Sequence, residues 1–285
     1  MRGMVFSQGR ERAGVTQATA GITSAASDAT YSQAPYEKAE PVGNRRFSQF
    51  DLDGRVFVVT GGGRGLGLCM AEGLVEAGGI VHCLDRATEP PSTFEEARAR
   101  VREQSNGDLR YHQVDVTQND ALEECVARIA AEKQRLDGLI AAAGIQQVTP
   151  ALDFKKEDIM KMLEVNYTGV GTIANRGFIA PVYNSSKAAV VQLARSLAME
   201  WGRMKPDGSG GIRVNSLSPG HIVTPMVEEN FRRGEANREE WENNSMLGRL
   251  STPEEYKAAG LFLLSRASSY MTAHDMKMDG GTTAW

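Results

Sequence analysis

From Phe50 onward, short apolar runs alternate with longer segments in which apolar residues recur every three or four positions. The short runs predict β-strands, and the recurring segments predict amphipathic helices. The predicted strands are Val56–Thr60, Ile80–Asp85, Tyr111–Val116, Gly138–Ala142, Ile212–Leu217 and Met276–Met278. The predicted helices are Gly65–Ala77, Thr93–Gln104, one that opens at Thr117, Phe154–Tyr167, Val182–Trp201 and one that opens at Thr252. The alternation predicts an α/β fold, a Rossmann-like doubly wound parallel sheet in three layers.

Residues 1–48 differ from the rest of the chain because they are rich in Ala, Ser, Thr, Gln and Gly and have no sustained hydrophobic period. Such a segment buries too little apolar surface to fold, so we expect a disordered N-terminal extension, followed by one domain over 49–285. The first 27 residues hold three arginines against a single acid, Glu11. They resemble a mitochondrial transit segment weakly, and a plain disordered extension is the alternative.

Composition narrows the classes of function. The 285 residues are 41% hydrophobic and 24% charged, as in ordinary globular proteins. A formal net charge of −4 argues against a nucleic-acid partner, and no apolar run is long enough to span a membrane. The three cysteines are odd in number and widely spaced, and the four histidines lack metal-ligand spacing, so we expect reduced thiols, no metal and a cytoplasmic location.

A glycine-rich turn over 60–67 joins the first predicted strand to the first predicted helix. Glycines there permit a tight turn and let the backbone approach a pyrophosphate, whose charge the helix N-terminus favours. The position within a β-α-β unit distinguishes this turn from an ordinary structural one. The residues predicted to bind a dinucleotide here are Gly61, Gly63, Arg64, Gly65, Leu66 and Gly67.

An acidic residue lies at or near the end of each of the next two predicted strands, and both are candidate cofactor contacts. Asp85 ends the second strand, where a carboxylate binds ribose hydroxyls and repels a 2′-phosphate, which favours NAD over NADP. Arg64 and Arg86 could instead pair with a 2′-phosphate, so NADP is the alternative. Asp115, with Val116 beside it, is placed to meet the adenine, and a capping or turn role for Asp115 is the alternative.

Tyr183 and Lys187 lie four positions apart on a predicted helix, so their side chains share one face. A nearby ammonium stabilises a phenolate and lowers the pKa of the phenol, which gives a general base at neutral pH. A surface helical pair is the alternative, but this one follows the glycine-rich turn and precedes Ser218-Pro219-Gly220.

Together, the turn over 60–67, Tyr183-Asn184-Ser185-Ser186-Lys187 and Ser218-Pro219-Gly220 resemble the short-chain dehydrogenase/reductase family across about residues 50–285. Ile173-Ala174-Asn175 and the ending over 280–285 are similar to fungal-type polyol and ketose reductases acting on mannitol, arabinitol or sorbose-like sugars. The resemblance implies hydride transfer between nicotinamide and a small secondary alcohol or ketone, with Tyr183 as acid/base. It also implies a homodimer or homotetramer.

The resemblance assigns further residues. Lys187 would also hold the nicotinamide ribose, and Asn166 would support a proton-relay water, with a helix-interior asparagine as the alternative. Gly144 keeps the backbone turn after the fourth strand, although alanines replace the two asparagines that precede it in the family. The segment predicted to meet the nicotinamide contains Pro219, Gly220, Ile222 and Thr224. Residues 226–246, with Phe231 and Trp241, would form the substrate loop, and helical packing on a neighbouring subunit is the alternative for them.

One departure from the family concerns catalysis. Only seventeen positions separate Asn166 from Tyr183, too few for a helix end, two loops and a buried strand. The family places a central strand here, ending in a serine that binds the substrate oxygen, and roughly two dozen residues are absent by its usual lengths. We therefore expect the sheet to lack one central strand. Thr168 and Thr172 are the nearby hydroxyls, and we expect neither to replace the serine.

The loss leaves neighbouring strands without ladder partners and removes an oxyanion donor, a contribution of about 3–4 kcal/mol in comparable sites. The alternative function is thus a catalytically impaired nucleotide-binding protein. A skipped exon, an overcalled intron or a splice variant is the hypothesis for its origin.

Overall fold

The computed structural model describes residues 3–8, 47–145, 153, 155–169, 181–234 and 236–284, with only the backbone of 3–8. The strands are β1 (Gly3–Gln8), β2 (Val56–Thr60), β3 (Ile80–Asp85), β4 (Asp108–Gln113), β5 (Gly138–Ala141), β6 (Ile212–Pro219) and β7 (Asp275–Met278). Within the described residues they form one seven-stranded sheet in the order β4-β3-β2-β5-β1-β6-β7. All neighbours pair in parallel except β1, which is antiparallel to both β5 and β6.

The helices of the described chain connect these strands. They are α1 (Gly65–Glu76), α2 (Ser92–Gln104), α3 (Asn119–Lys133), α4 (Lys156–Gly169), α5 (Pro181–Trp201), α6 (Pro225–Arg232), α7 (Arg238–Asn243) and α8 (Lys257–Leu264). A 3₁₀ turn over Pro253–Tyr256 leads into α8, and its N-terminus carries a capping box formed by Thr252 and Glu255.

Alternate side chains of β2 point to opposite faces of the sheet, as the two-residue period of a strand requires. Phe57 and Val59 are buried on one face, in a core to which α1, α2 and α8 contribute. Val56 and Val58 are buried on the other face together with residues of α3. The predicted arrangement of helices on both faces of a central sheet is confirmed.

Helix α5 covers the same face as α3. Leu139 and Ala141 are two positions apart in β5, so their side chains leave the sheet on one side. Leu139 packs against the core that contains α3, and Ala141 packs against the core formed with α5. Helix α5, which carries Tyr183, thus packs on β6 and on Ala141 of β5, and α4 in turn packs against α5.

Two predicted boundaries were wrong in the same region. The third predicted strand, over 111–116, is instead β4, Asp108–Gln113, and α3 begins at Asn119 rather than Thr117. The cause is Asp115, whose carboxylate accepts hydrogen bonds from the backbone and hydroxyl of Thr117. This local turn separates the strand from the helix and removes Thr117 as a helix cap.

Strand β1 corrects two expectations about the sheet. Residues 3–8 are not a disordered extension, because they lie between β5 and β6. Among the described residues no parallel strand lies between β5 and β6, but β1 fills that position. Met4, for example, is the backbone partner of both Ala141 and Ser216. The segment contains only three successive apolar residues, Met4, Val5 and Phe6, too few to establish a period in the sequence. Residues 9–46 lie outside the described residues.

Candidate cofactor and catalytic site

The glycine-rich turn is packed tightly against the carboxyl ends of two strands. Gly61 has a φ of +66°, and its N–H donates a 2.8 Å hydrogen bond to the carbonyl of Leu84. A Cβ at Gly61 would lie 2.7 Å from Ala143 Cα, closer than real side chains approach a backbone. A Cβ at Gly67 would overlap the carbonyl of Gly61. Glycine is therefore required at Gly61 by conformation and close approach, and at Gly67 by close approach alone.

The N-terminus of α1 is open to a ligand. Arg64 precedes the helix, is exposed and forms no side-chain cap. Within the described residues, nothing lies within 4 Å of a Cβ placed on Gly65, whereas Leu66 is buried in the core. The first N–H groups of the helix therefore face a space that an anionic group can enter.

Asp85 lies beside this turn at the end of β3. The N–H of Gly63 donates a 3.1 Å hydrogen bond to Asp85 Oδ2. A Cβ at Gly63 would lie 2.8 Å from that oxygen, so the carboxylate lies directly against the glycine. Asp85 and the glycine-rich turn are therefore in contact, as their positions in the sequence predict. Arg86, which follows Asp85, is exposed.

Asp115 has the turn role that was the alternative to an adenine contact. Its Oδ1 accepts hydrogen bonds from the N–H and the hydroxyl of Thr117, at 3.0 and 2.8 Å. These bonds hold the pKa of Asp115 below its usual range. Val114 donates to the carbonyl of Asp85, which places Asp115 and the half-buried Val116 next to the candidate ribose site. The adenine contact stays a prediction.

Tyr183 and Lys187 lie on one face of α5, as their spacing predicts. Lys187 Nζ is 5.5 Å from the centroid of the Tyr183 ring, and the lysine is only 1% exposed. The surface-pair alternative is therefore wrong, because an ammonium is rarely buried without a role or a partner. A Cβ at Gly144 would lie 3.4 Å from Lys187 Nζ, so the loop after β5 also approaches this pair.

Asn166, fully buried on α4, binds the same loop. Its Oδ1 accepts a 2.7 Å hydrogen bond from the N–H of Ile145, and its Nδ2 donates at 2.8 Å to the carbonyl of that residue. A Cβ at Gly144 would lie 3.3 Å from Asn166 Oδ1. The asparagine is thus more than a helix-interior residue. It holds the backbone at Ile145, in the loop that follows β5 and approaches Lys187. The resemblance to the family predicted Asn166 as a site residue, but it did not predict the hydrogen bonds to Ile145.

The segment after β6 runs from the sheet into the predicted substrate loop. Pro219 ends β6, and the N–H of Gly220 donates at 2.9 Å to the carbonyl of Met278. Ile222 is buried and bridges to Ser251. Thr224 caps α6 through a 3.4 Å bond from Val227. The structure gives each of these residues a scaffolding contact, and their contacts with nicotinamide stay predictions.

The predicted substrate loop contributes Trp241 and Phe231 to a buried aromatic cluster. Trp241 is 3% exposed, stacks on His221 at 4.1 Å between ring centroids and meets Phe231 edge-on at 5.3 Å. Tyr183 packs against the same cluster. Burial lowers the pKa of His221 to about 4, so this imidazole is neutral at pH 7. The cluster therefore packs against the Tyr183 ring, and no signal in the sequence indicated that His221 belongs to it.

Ser218 does not take the place of the expected serine. Ser218, at the carboxyl end of β6, is fully buried and donates its hydroxyl hydrogen to Asp275. Only the backbone of Thr168 is described, and Thr172 and the Ile173-Ala174-Asn175 motif lie outside the described residues.

The described residues contain no group of three or more His, Cys, Asp or Glu side chains that could hold a metal ion. A helix with the length and hydropathy of a membrane span is likewise absent from them. Cys69, Cys83 and Cys125 are buried free thiols.

Two family models match the chain, and their matches overlap at residues 173–178, within the shortened segment. The model described as short chain dehydrogenase matches residues 55–178, and the model described as Enoyl-(Acyl carrier protein) reductase matches 173–283.

Curated relatives agree with this match. Galactitol 2-dehydrogenase of Rhizobium johnstonii is 36% identical over 267 residues, which cover 83% of this chain and 98% of the relative. D-arabinitol 2-dehydrogenase of Candida tropicalis is 30% identical over an alignment that covers 83% of this chain and 95% of the relative. Because the first alignment is longer than 83% of 285 residues, it contains positions of the relative with no counterpart in this chain.

Solved structures with the same fold include a short-chain type dehydrogenase/reductase from Mycobacterium marinum. It is 29% identical, has a TM-score of 0.73 and covers 83% of this chain and 98% of its own. The NADPH-dependent 3-quinuclidinone reductase of Rhodotorula rubra is 30% identical, with a TM-score of 0.71 and coverage of 88% and 100%.

Proposed function

The chain belongs to the short-chain dehydrogenase/reductase family of oxidoreductases, and we propose that it is an NAD-dependent member acting on a polyol or sugar. The reaction is a hydride transfer between the nicotinamide and a secondary alcohol or its ketone. The observation that carries this proposal is the approach of buried Lys187 to Tyr183, beside the loop fixed by Asn166.

The residues present fit a dinucleotide. The turn over 60–67 leaves no room for side chains on the strand side and an open helix N-terminus on the other, which suits a pyrophosphate. Asp85 would accept hydrogen bonds from the adenosine ribose, and its charge would oppose a 2′-phosphate. When bound, the cofactor supplies the acceptor or donor of the hydride at its nicotinamide ring. NADP is the alternative, since exposed Arg64 and Arg86 lie on the same side.

Tyr183 would move the proton. In alcohol oxidation its phenolate oxygen takes the hydroxyl proton of the substrate, and in ketone reduction the phenol returns it. The positive charge of Lys187, 5.5 Å from the centroid of the Tyr183 ring, would stabilise the phenolate. Asn166 positions these groups through Ile145, and the aromatic cluster around Trp241 supports the tyrosine ring from the other side.

The polyol class is supported by relatives named galactitol 2-dehydrogenase and D-arabinitol 2-dehydrogenase, and by an NADH-dependent L-xylulose reductase. A direct test is a substrate panel of galactitol, D-arabinitol, mannitol and sorbitol with NAD and NADP, followed by cofactor absorbance. We expect turnover with at least one polyol and NAD. Activity only with non-hydroxylated ketones and NADPH would reject the substrate class and the cofactor together.

A second candidate is a nucleotide-binding protein with little turnover, favoured by one observation. The only serine of β1, Ser7, lies at the amino end of β5, and Ser218 is already bonded to Asp275. A substrate oxygen would then lack one hydroxyl donor. Titration of NADH fluorescence alongside the polyol assay separates the two, because binding without turnover supports the second.

Assembly, location and origin are further proposals. A homodimer or homotetramer through α4 and α5 fits their exposed methionines, Met160 and Met199, and light scattering tests it. We propose a cytoplasmic location, with mitochondria as the alternative, to be checked by imaging a C-terminal fusion. Amplifying the transcript across the codons for residues 169–171 tests the splicing hypothesis, which fails if only the short form is recovered.

A further inference from the structure

We propose that the N-terminal strand β1 is a donor strand that completes the sheet in place of the missing central strand. On this view the space between β5 and β6 is an acceptor site for an extended peptide, and its occupant is residues 3–8 of this same chain. The proposal concerns how the sheet is completed, and it does not depend on which substrate or cofactor the protein uses.

The first support is that β1 is paired along both sides. Four of its residues, from Met4 to Ser7, face residues 138–141 of β5, and all six face residues 212–217 of β6. A strand with partners on both sides has every amide and carbonyl directed at a neighbour. Residues 3–8 are therefore integrated into the sheet as an interior strand, although the segment is far away in sequence.

The second support is that both strands of the acceptor site are buried. Ile140 of β5 and Val214, Asn215 and Leu217 of β6 are at most 1% exposed. If β1 left, the backbone groups that face it would lose their partners within the core, at about 1–3 kcal/mol for each unsatisfied group. Water would have to enter the sheet, or the strands would have to move together.

The third support is the direction of the strand. Because β1 is antiparallel, Gly3 is the partner of Leu217 near the carboxyl edge, and Ser7 is the partner of Gly138 and Arg213 at the amino edge. A continuous parallel strand would have placed its last residues at the carboxyl edge. The donor strand thus restores the backbone ladder without restoring a strand-end serine beside Tyr183.

Separate peptides can occupy such sites when backbone bonds supply most of the affinity. The connection from β1 to the rest of the described chain runs only through residues 9–46. A peptide with the sequence of residues 1–10 should therefore bind in trans when the chain's own strand is disabled.

The test uses the full chain with Val5→Pro, which removes a ladder donor in the middle of β1 and cannot be accommodated in an interior strand. The matched control is Gln17→Pro, in the connection. Hydrogen exchange is followed at the amides of 138–141 and 212–217. We expect exchange there to rise about 100-fold or more in Val5→Pro and to stay unchanged in Gln17→Pro. The peptide of residues 1–10 should restore protection, and the same peptide carrying Val5→Pro should not.

A cross-link tests the register without depending on stability. Phe6 and Val214 are direct partners, so Phe6→Cys with Val214→Cys should form a disulfide under mild oxidation. Phe6→Cys with Leu217→Cys, three positions out of register, is the control and should not. Unchanged exchange in Val5→Pro, or equal cross-linking of both pairs, would overturn the proposal. So would a peptide that binds without restoring protection.

Discussion

Ser7 is the backbone partner of Gly138, at the end of β5 that lies away from Tyr183. Strand β1 therefore fills the position in the sheet without replacing the serine that the family has beside the tyrosine. Strand β1 supplies hydrogen-bond partners to β5 and β6, which accounts for a stable sheet. It carries no hydroxyl to the carboxyl edge, so the Tyr183–Lys187 pair would act without the second donor that the family resemblance implies.

Asp85 should control cofactor preference. Replacing it with Asn keeps an acceptor for the Gly63 N–H but removes the negative charge that opposes a 2′-phosphate. We expect the ratio of NADH to NADPH affinity, measured by fluorescence titration, to fall about tenfold, equivalent to ~1.4 kcal/mol.

The control for this change is Asp53→Asn, an equal loss of charge at an exposed carboxylate outside the turn. The account of cofactor choice fails if the two variants shift the ratio equally, or if Asp85→Asn leaves it unchanged.

Asn166→Ala should weaken stability and turnover together. The change removes two hydrogen bonds to Ile145 and leaves both backbone groups without a partner, so we expect a loss of about 2–4 kcal/mol in the free energy of unfolding in urea. Turnover should fall because the loop that follows β5 and approaches Lys187 loses its hydrogen bonds to α4. Asn166→Asp keeps the acceptor for the Ile145 N–H and should be intermediate in both measurements. An alanine variant with wild-type stability would show that this loop is held by other contacts.

The histidine pair on β3 and β4 should make stability depend on pH. His82 Nδ1 lies 2.8 Å from His112 Nε2, and burial together with this neighbour lowers the pKa of His82 from 6.5 to about 4. As the pH falls, the unfolded chain binds the proton first, so the contribution of His82 is complete above pH 6.5 and is lost between 6.5 and about 4. The loss is on the order of 2–3 kcal/mol.

Urea unfolding from pH 7 to 4 measures this dependence. In His82→Gln the slope of unfolding free energy against pH should be shallower than in the wild type. His274→Gln, at an exposed histidine, should keep the wild-type slope. Identical slopes in all three proteins would contradict the assignment to His82.

The sequence could predict the cofactor half of the site because its signals are local. The turn over 60–67 and Asp85 lie in one β-α-β unit, where spacing determines which groups meet. The Tyr183–Lys187 pair was equally predictable, since both residues lie on one helix. The contact of Asn166 with Ile145 depends on how α4 packs, and no spacing encodes it.

Strand β1 could not be predicted for a different reason. Residues 3–8 have little hydrophobic signal of their own, and their conformation is fixed by partners more than 130 positions away. The intrinsic β-propensity of a segment matters less than its tertiary contacts when strands on both sides can pair with it. The shortened segment before Tyr183 predicted a missing strand, but it held no information on what fills the gap.

The central claim is that Tyr183 transfers a proton in an NAD-dependent oxidation of a polyol. Its most direct test is steady-state NADH formation by the purified full chain and by Tyr183→Phe, with NADH affinity measured on the same samples. We predict measurable turnover in the wild type, a loss of about 100-fold or more in the variant, and NADH affinities within about threefold of each other. Equal turnover in the two proteins would contradict the claim.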